Sequence, residues 1–136
     1  LFRSPHYIIQ HAENQEYCNY RLMNFHAVAI MRNRMVEHYD SEYINQIRQN
    51  FDAFLSYGKV VKVRLSADGS QILKRNITHR PKVLEQSGDV YTFECSRLKA
   101  QLYFPQFMED AEILEPLELR AWFQKKFAKV NQLYSF

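Results

Sequence analysis

The sequence has little of what makes a chain flexible, cross-linked or membrane-embedded. Three Gly and four Pro in 136 residues leave no stretch with the composition of a long flexible linker. Two Cys, Cys18 and Cys95, stand far apart, which excludes a disulfide framework and a Cys-based zinc site and fits a thiol-reducing, cytoplasmic setting. No apolar run approaches the ~20 residues of a membrane-spanning helix, and the opening residues lack the basic, apolar and small-residue regions of a signal peptide. Charge is not one-sided either. Eighteen basic against 15 acidic residues give a net +3, which allows an anionic partner but falls short of an architectural nucleic-acid binder.

What is present is apolar and aromatic. Residues of the hydrophobic class make up 46% and aromatics 15%, enough for a packed core and too much for a disordered chain. Leu1 falls in mid-pattern, so the chain reads as a piece of a longer protein.

The clearest organising stretch is Ala111 to Arg120, where an extended apolar segment passes into a helix with almost no loop. Pro116 suits a first helical position and biases Glu115 toward an extended conformation, while Glu115 and Glu118 sit at the positive helix end. Leu119, Phe123, Phe127, Val130 and Tyr134 then recur at spacings of three and four, with Trp122 and Leu133 widening that face. Arg120, Lys125, Lys126 and Lys129 lie along the rest, the last three toward the negative end. Such a helix needs a sheet or a partner subunit to cover it.

From the start, Pro5–Gln10 reads as a strand, His11–Gln15 as a turn, and Glu16–Met31 as one or two further strands. Asp40 and Ser41 are suited to cap a helix carrying Tyr43, Ile44, Ile47, Phe51 and Phe54, closed at Ser56-Tyr57-Gly58. Lys59–Leu65 is a strand, Ala67–Ser70 a turn, and Gln71–Asn76 a short helix. Pro81–Gln86 and Asp89–Cys95 form a hairpin across Ser87-Gly88. Arg97–Phe107 is a helix interrupted at Pro105, and Glu112–Glu115 is the last strand. This order predicts an α+β chain whose second part is a ferredoxin-like βαββαβ unit with an extra C-terminal helix. The boundaries fall at 1–39, 40–58 for the connecting helix, and 59–136.

The run V-R-L-S, T-H-R-P-K-V, G-D-V-Y-T-F-E-C and A-E-I-L-E-P-L-E-L-R, from Val61 to the terminal helix, resembles the C-terminal extension of bacterial WYL-domain transcriptional regulators. The I-L-E-P-x-E-L-R segment is its most specific part. Residues 1–39 are similar to the end of a WYL domain, a small Sm-like β-barrel. In one register His6-Tyr7-Ile8 stands for the W-Y-L strand and Tyr20–Phe25 for the next motif, keeping Arg21 but replacing the family's Asp and second Arg by Met23 and Asn24. In another, Tyr17–Tyr20 is the W-Y-L strand and Phe25–Met31 follows it. The resemblance implies a non-catalytic sensing and dimerisation region that lies after an N-terminal winged helix-turn-helix, a pattern missing from this sequence. It also implies a nucleic-acid or nucleotide-like effector, a homodimer, and no cofactor.

An anionic effector calls for Arg forks at phosphate and aromatic faces for bases. The candidates are Tyr7, Tyr20, Arg21, Arg32 and Arg34 in the first part, and Lys62, Arg64 and Arg80 in the second. Lys62 and Arg64, two apart, share one strand face. A solvated basic sheet face is the plainer reading of that pair, as a solvated strand end is of Arg32 and Arg34. Cys18 with His6, His11 or His26 could form a nucleophile and base. No nucleophile elbow, paired-His metal motif or phosphate-cradling Gly loop supports catalysis. A plain homodimerisation module without ligand is the remaining alternative, with Tyr103–Phe107 and the closing helix supplying apolar area.

Overall fold

The structure, a computed structural model, describes residues 6–11, 13–14, 16–30, 40–49 and 52–135. The chain divides into two compact units, Leu1–Leu55 and Ser56–Phe136. It is an α+β protein, as its element order predicts.

In the first unit β1 (His6–Gln10) pairs antiparallel with β2 (Tyr17–Arg21), Tyr7 opposite Tyr20 and Ile9 opposite Cys18. Strand does not continue beyond Arg21. Leu22–Asn24 forms a 3-10 turn, and residues 25–30 are irregular, with Val28 and Ile30 exposed at 74% and 88%. The expected strand over Phe25–Met31 is therefore absent among its described residues. Helix α1 (Ser41–Gln49) starts at Asp40, whose carboxylate accepts from the Tyr43 N–H at 2.9 Å. It does not reach Phe54. Asp52 instead makes a turn, its carboxylate accepting from the Phe54 N–H at 3.0 Å, and α1 falls within the first unit. Gly58, at φ 71°, serves the turn into the next strand rather than a helix end.

The second unit is built on β3 (Val60–Leu65). Alternation turns Val61, Val63 and Leu65 inward and Val60, Lys62 and Arg64 outward. Then come α2 (Ala67–Arg75), β4 (Lys82–Ser87), β5 (Val90–Glu94), α3 (Arg97–Tyr103), a 3-10 segment (Phe104–Asp110), β6 (Ala111–Glu115) and α4 (Leu117–Leu133). The sheet order β4-β5-β3-β6, antiparallel throughout, is that of a ferredoxin-like unit. Its core is aromatic: Phe93 stacks beside Tyr91 and meets Phe104 at 5.2 Å, and Phe104 meets Tyr103 and Phe107. Leu73 from α2, Ala100 from α3, and Leu119 and Phe123 from α4 complete it.

Two local readings are corrected. Ala67–Ser70 is not a turn but the first turn of α2, because Ser66 caps it: the Ser66 hydroxyl accepts from the Gly69 N–H at 3.0 Å and donates to the Asp110 carboxylate at 2.6 Å. Pro116 is the N-cap of α4 rather than its first helical residue, with extended φ/ψ of −74° and 158°, and no basic side chain lies in the final turn.

At Gly69 the helix comes so near the Asp110 carbonyl that a Cβ would overlap it. Gly69→Ala should lower stability by about 1–3 kcal/mol, the usual result of forcing atoms into a packed contact. A chemical-denaturation midpoint equal to wild type would contradict this packing.

Candidate functional site

Lys62 and Arg64 share the outward face of β3, but neither stands alone. Lys62 Nζ lies 3.1 Å from a Glu115 carboxylate oxygen. Arg64 donates to Glu112 at 2.7 Å and its Nε lies 3.6 Å from Asp89. Arg120, from the first turn of α4, donates to the other Glu112 oxygen at 2.8 Å and to the Ile113 carbonyl at 2.8 Å. Three cations thus face three carboxylates. The sheet face is a charge-balanced lattice, and an incoming phosphate would have to displace carboxylates already held.

Arg80 also has a local duty. Its guanidinium donates to the Leu73 carbonyl at 3.4 Å, near the C-terminal end of α2, where positive charge is favoured. Next to it the Tyr103 hydroxyl donates to the Asn76 carbonyl at 2.7 Å. Burial raises the Tyr103 pKa, and the Arg80 charge partly offsets that rise. Arg32 and Arg34 lie outside the described residues.

In the first unit the alternation of β1 and β2 sorts the remaining candidates. Tyr7, Ile9, Cys18 and Tyr20 point to one face, and Tyr17, Asn19 and Arg21 to the other. The second face meets the α1 region: Tyr17 packs on Tyr43 at 5.0 Å, and Asn19 donates to the Ala53 carbonyl at 2.9 Å. Arg21 is therefore separated from Tyr7 and Tyr20, although it follows Tyr20 in sequence.

The Tyr7–Tyr20 face carries the concavity. Phe25, returned over the hairpin by the 3-10 turn, meets both Tyr7 and Tyr20 edge-on at 6.1 Å. His11 Nε2 lies 2.8 Å from the Tyr20 hydroxyl. Around them a cleft of about 470 Å³ is lined by Ile9, His11, Tyr20, Asn24, Phe25, His26 and Ala27. Desolvation raises the Tyr20 pKa, and the neighbouring Cys18 thiol, hydrogen-bonded to the hydroxyl, adds to the rise. Asn24 and Phe25 join Tyr20 through the turn at Leu22–Asn24, a placement that no spacing in the sequence signals.

Cys18 and His11 both adjoin the Tyr20 hydroxyl, so the thiol–imidazole pair considered from sequence is separated by a phenol. The side chain of His6 is outside the described part of the structure. No group of three His, Cys, Asp or Glu suited to a metal ion occurs among the described residues. None of the described helices is long and apolar enough to cross a membrane.

No family model matches the chain, and no curated protein matches it. Among solved structures, the chain is similar to a CRISPR Cas-related protein, with a TM-score of 0.59 and 15% identity over 88% of this chain. The match covers 35% of the solved chain, so the present chain spans about a third of its length. At that identity the likeness is one of fold. The WYL resemblance itself continues to rest on the motifs in the sequence.

Glu112 gives the open face a measurable signature. The Arg120 hydrogen bond holds its carboxyl below the ordinary glutamate value, against an opposing desolvation, and Arg64 adds to the lowering. Because the folded value is the lower one, the stabilisation is complete above the unfolded glutamate pKa and is lost as pH falls through the folded one. Arg120→Ala should move the Glu112 carboxyl titration, followed by NMR, upward toward the ordinary value. A titration unmoved by that substitution would remove Arg120 as the dominant partner.

Proposed function

We propose that the chain is the effector-sensing and self-pairing region of a helix-turn-helix transcriptional regulator of the WYL type, and that it works by binding rather than catalysis. The observation that carries the reading is the aromatic cleft on the Tyr7–Tyr20 face. Tyr20 and Phe25 line it with their rings edge-on at 6.1 Å, Tyr7 meets Phe25 from outside the lining, and Asn24 offers a neutral amide donor and acceptor. Such a lining suits an unpaired nucleobase, which a duplex would hide.

The same geometry narrows the chemistry of the effector. Among the described residues the cleft lining contains no Lys or Arg, and Lys62 and Arg64 are engaged by carboxylates in the other unit. Recognition would then come from stacking and the base edge, with phosphate contacts secondary. Fold likeness to a CRISPR Cas-related protein is compatible with a nucleic-acid context and supports it only at the level of architecture. Catalysis has weaker support, since the His11 nitrogen nearest Tyr20 is hydrogen-bonded to that hydroxyl rather than to the Cys18 thiol.

Fluorescence anisotropy with a short single-stranded oligonucleotide and its matched duplex, at low and physiological salt, tests this. Saturable binding should prefer the single strand and vary little with salt. Tyr20→Ala and Phe25→Ala should each weaken it roughly tenfold or more, the usual cost of a lost base stack. Arg64→Ala should leave it unchanged. Binding to neither nucleic acid, or equal binding to both, would reject the base-reading cleft.

A further inference from the structure

Between β6 and α4 lies a cleft of about 330 Å³ that is apolar on one side and polar on the other. Ile113 and Phe123, 4% and 6% exposed, and half-buried Phe127 make the apolar side, while Arg120, Glu112 and Gln124 make the polar one. Its volume lies at the low end of the range for small-molecule sites, about 300–1,000 Å³. Every lining residue belongs to the second unit, so the site is independent of the aromatic cleft in the first.

Arg120 gives this cleft its chemistry. Only its Nη1 is engaged, donating at 2.8 Å to Glu112 and at 2.8 Å to the Ile113 carbonyl. These two acceptors fix the plane of the guanidinium, whose other edge, Nε and Nη2, has no partner among the described residues. That edge is a fork of two parallel N–H donors, the geometry a carboxylate matches with its two oxygens. Gln124 follows one turn later on the same helix face, and its side-chain amide is also without a partner among the described residues.

The charges already present decide what can be added. Glu112 is shared between Arg120 and Arg64, and Arg64 also faces Asp89, so two guanidinium groups meet two carboxylates. One open edge in balanced surroundings suits a single negative charge spread over two oxygens. A phosphate dianion would bring a second charge and a third oxygen beside Glu112. Met108 also lines the cleft, at φ 49° and ψ −122°, a strained backbone for a residue with a side chain. Its thioether is 57% exposed there, an adaptable group suited to an apolar ligand.

We propose that this cleft binds a small monocarboxylate with an apolar tail. The carboxylate sits on Nε and Nη2 of Arg120, the Gln124 amide donates to one of its oxygens, and the tail packs against Ile113, Phe123 and Phe127. Binding in this way leaves the Arg120 hydrogen bonds to Glu112 and Ile113 in place.

NMR titration of the whole, isotope-labelled chain with hydrocinnamate, followed at the Arg120 Nε–H and the Gln124 side-chain amide, tests this. Both signals should move saturably with one dissociation constant. Hydrocinnamide, which replaces one oxygen by a donor, and acetate, which lacks the tail, should each bind roughly tenfold more weakly or worse. Arg120→Lys keeps the charge but removes the fork, and should cost a similar factor. Gln124→Ala, at an exposed position, should weaken binding severalfold with an unchanged melting temperature. An Arg120 signal that fails to saturate, equal binding of the acid and either control, or an affinity indifferent to both substitutions would overturn the site.

Discussion

Strand β3 is hydrogen-bonded along both edges and packed on one face, and the rest of the second unit follows from meeting those demands together. Its inward residues, Val61, Val63 and Leu65, need a layer above them, which α2, α3 and the 3-10 segment supply around Phe93 and Phe104. Its outward residues are hemmed by two neighbouring strands rather than by water alone. Arg64 stands directly opposite Glu112 on β6, and Lys62 opposite Glu115 across a register shift between Lys62 and Val63. A cation in the middle of an antiparallel sheet acquires whatever its neighbours present, and here they present carboxylates. The balance of charge on this face is thus a property of the strand order.

That explains what sequence could and could not convey. Alternation within Lys59–Leu65 shows that Lys62 and Arg64 share a face, a local fact with a period of two. Their partners are remote: Glu112 lies 48 residues from Arg64. Without the strand order, an outward Arg reads equally well as free or as paired. The glycine turn of the β4–β5 hairpin was legible because Gly88 adopts φ 61°, a conformation its residue type advertises. The Asp68-Gly69 pair was misleading for the opposite reason. Gly69 is helical and is small because Asp110 comes close, a tertiary requirement that local propensity does not carry.

The first unit was less legible, and the difference has a physical cause. Its strands are short and half-buried on both sides, so the in-and-out pattern that fixes register is weak. Tyr20 and Arg21, adjacent in a motif, read as one site, yet a strand sends successive side chains to opposite faces. The residues that do join Tyr20 come from two other places, His11 after β1 and Phe25 after the 3-10 turn. A Tyr–Phe–His cluster assembled across turns has no spacing signature, and only the hairpin register brings it together.

With the sheet face balanced, the small net positive charge must reside elsewhere, and α4 carries part of it. The helix begins with Glu118 and then holds Lys125, Lys126 and Lys129 with no acid after them. Those lysines are not placed to cap its end, since the last turn contains none of them. Lys126 lies beside the apolar stripe, four residues before Val130, while Lys125 and Lys129 lie on the rest of the helix surface. A helix whose sole task was to cover β6 would gain nothing from apolar residues beyond Phe127, and their exposure carries a hydration cost that burial would remove.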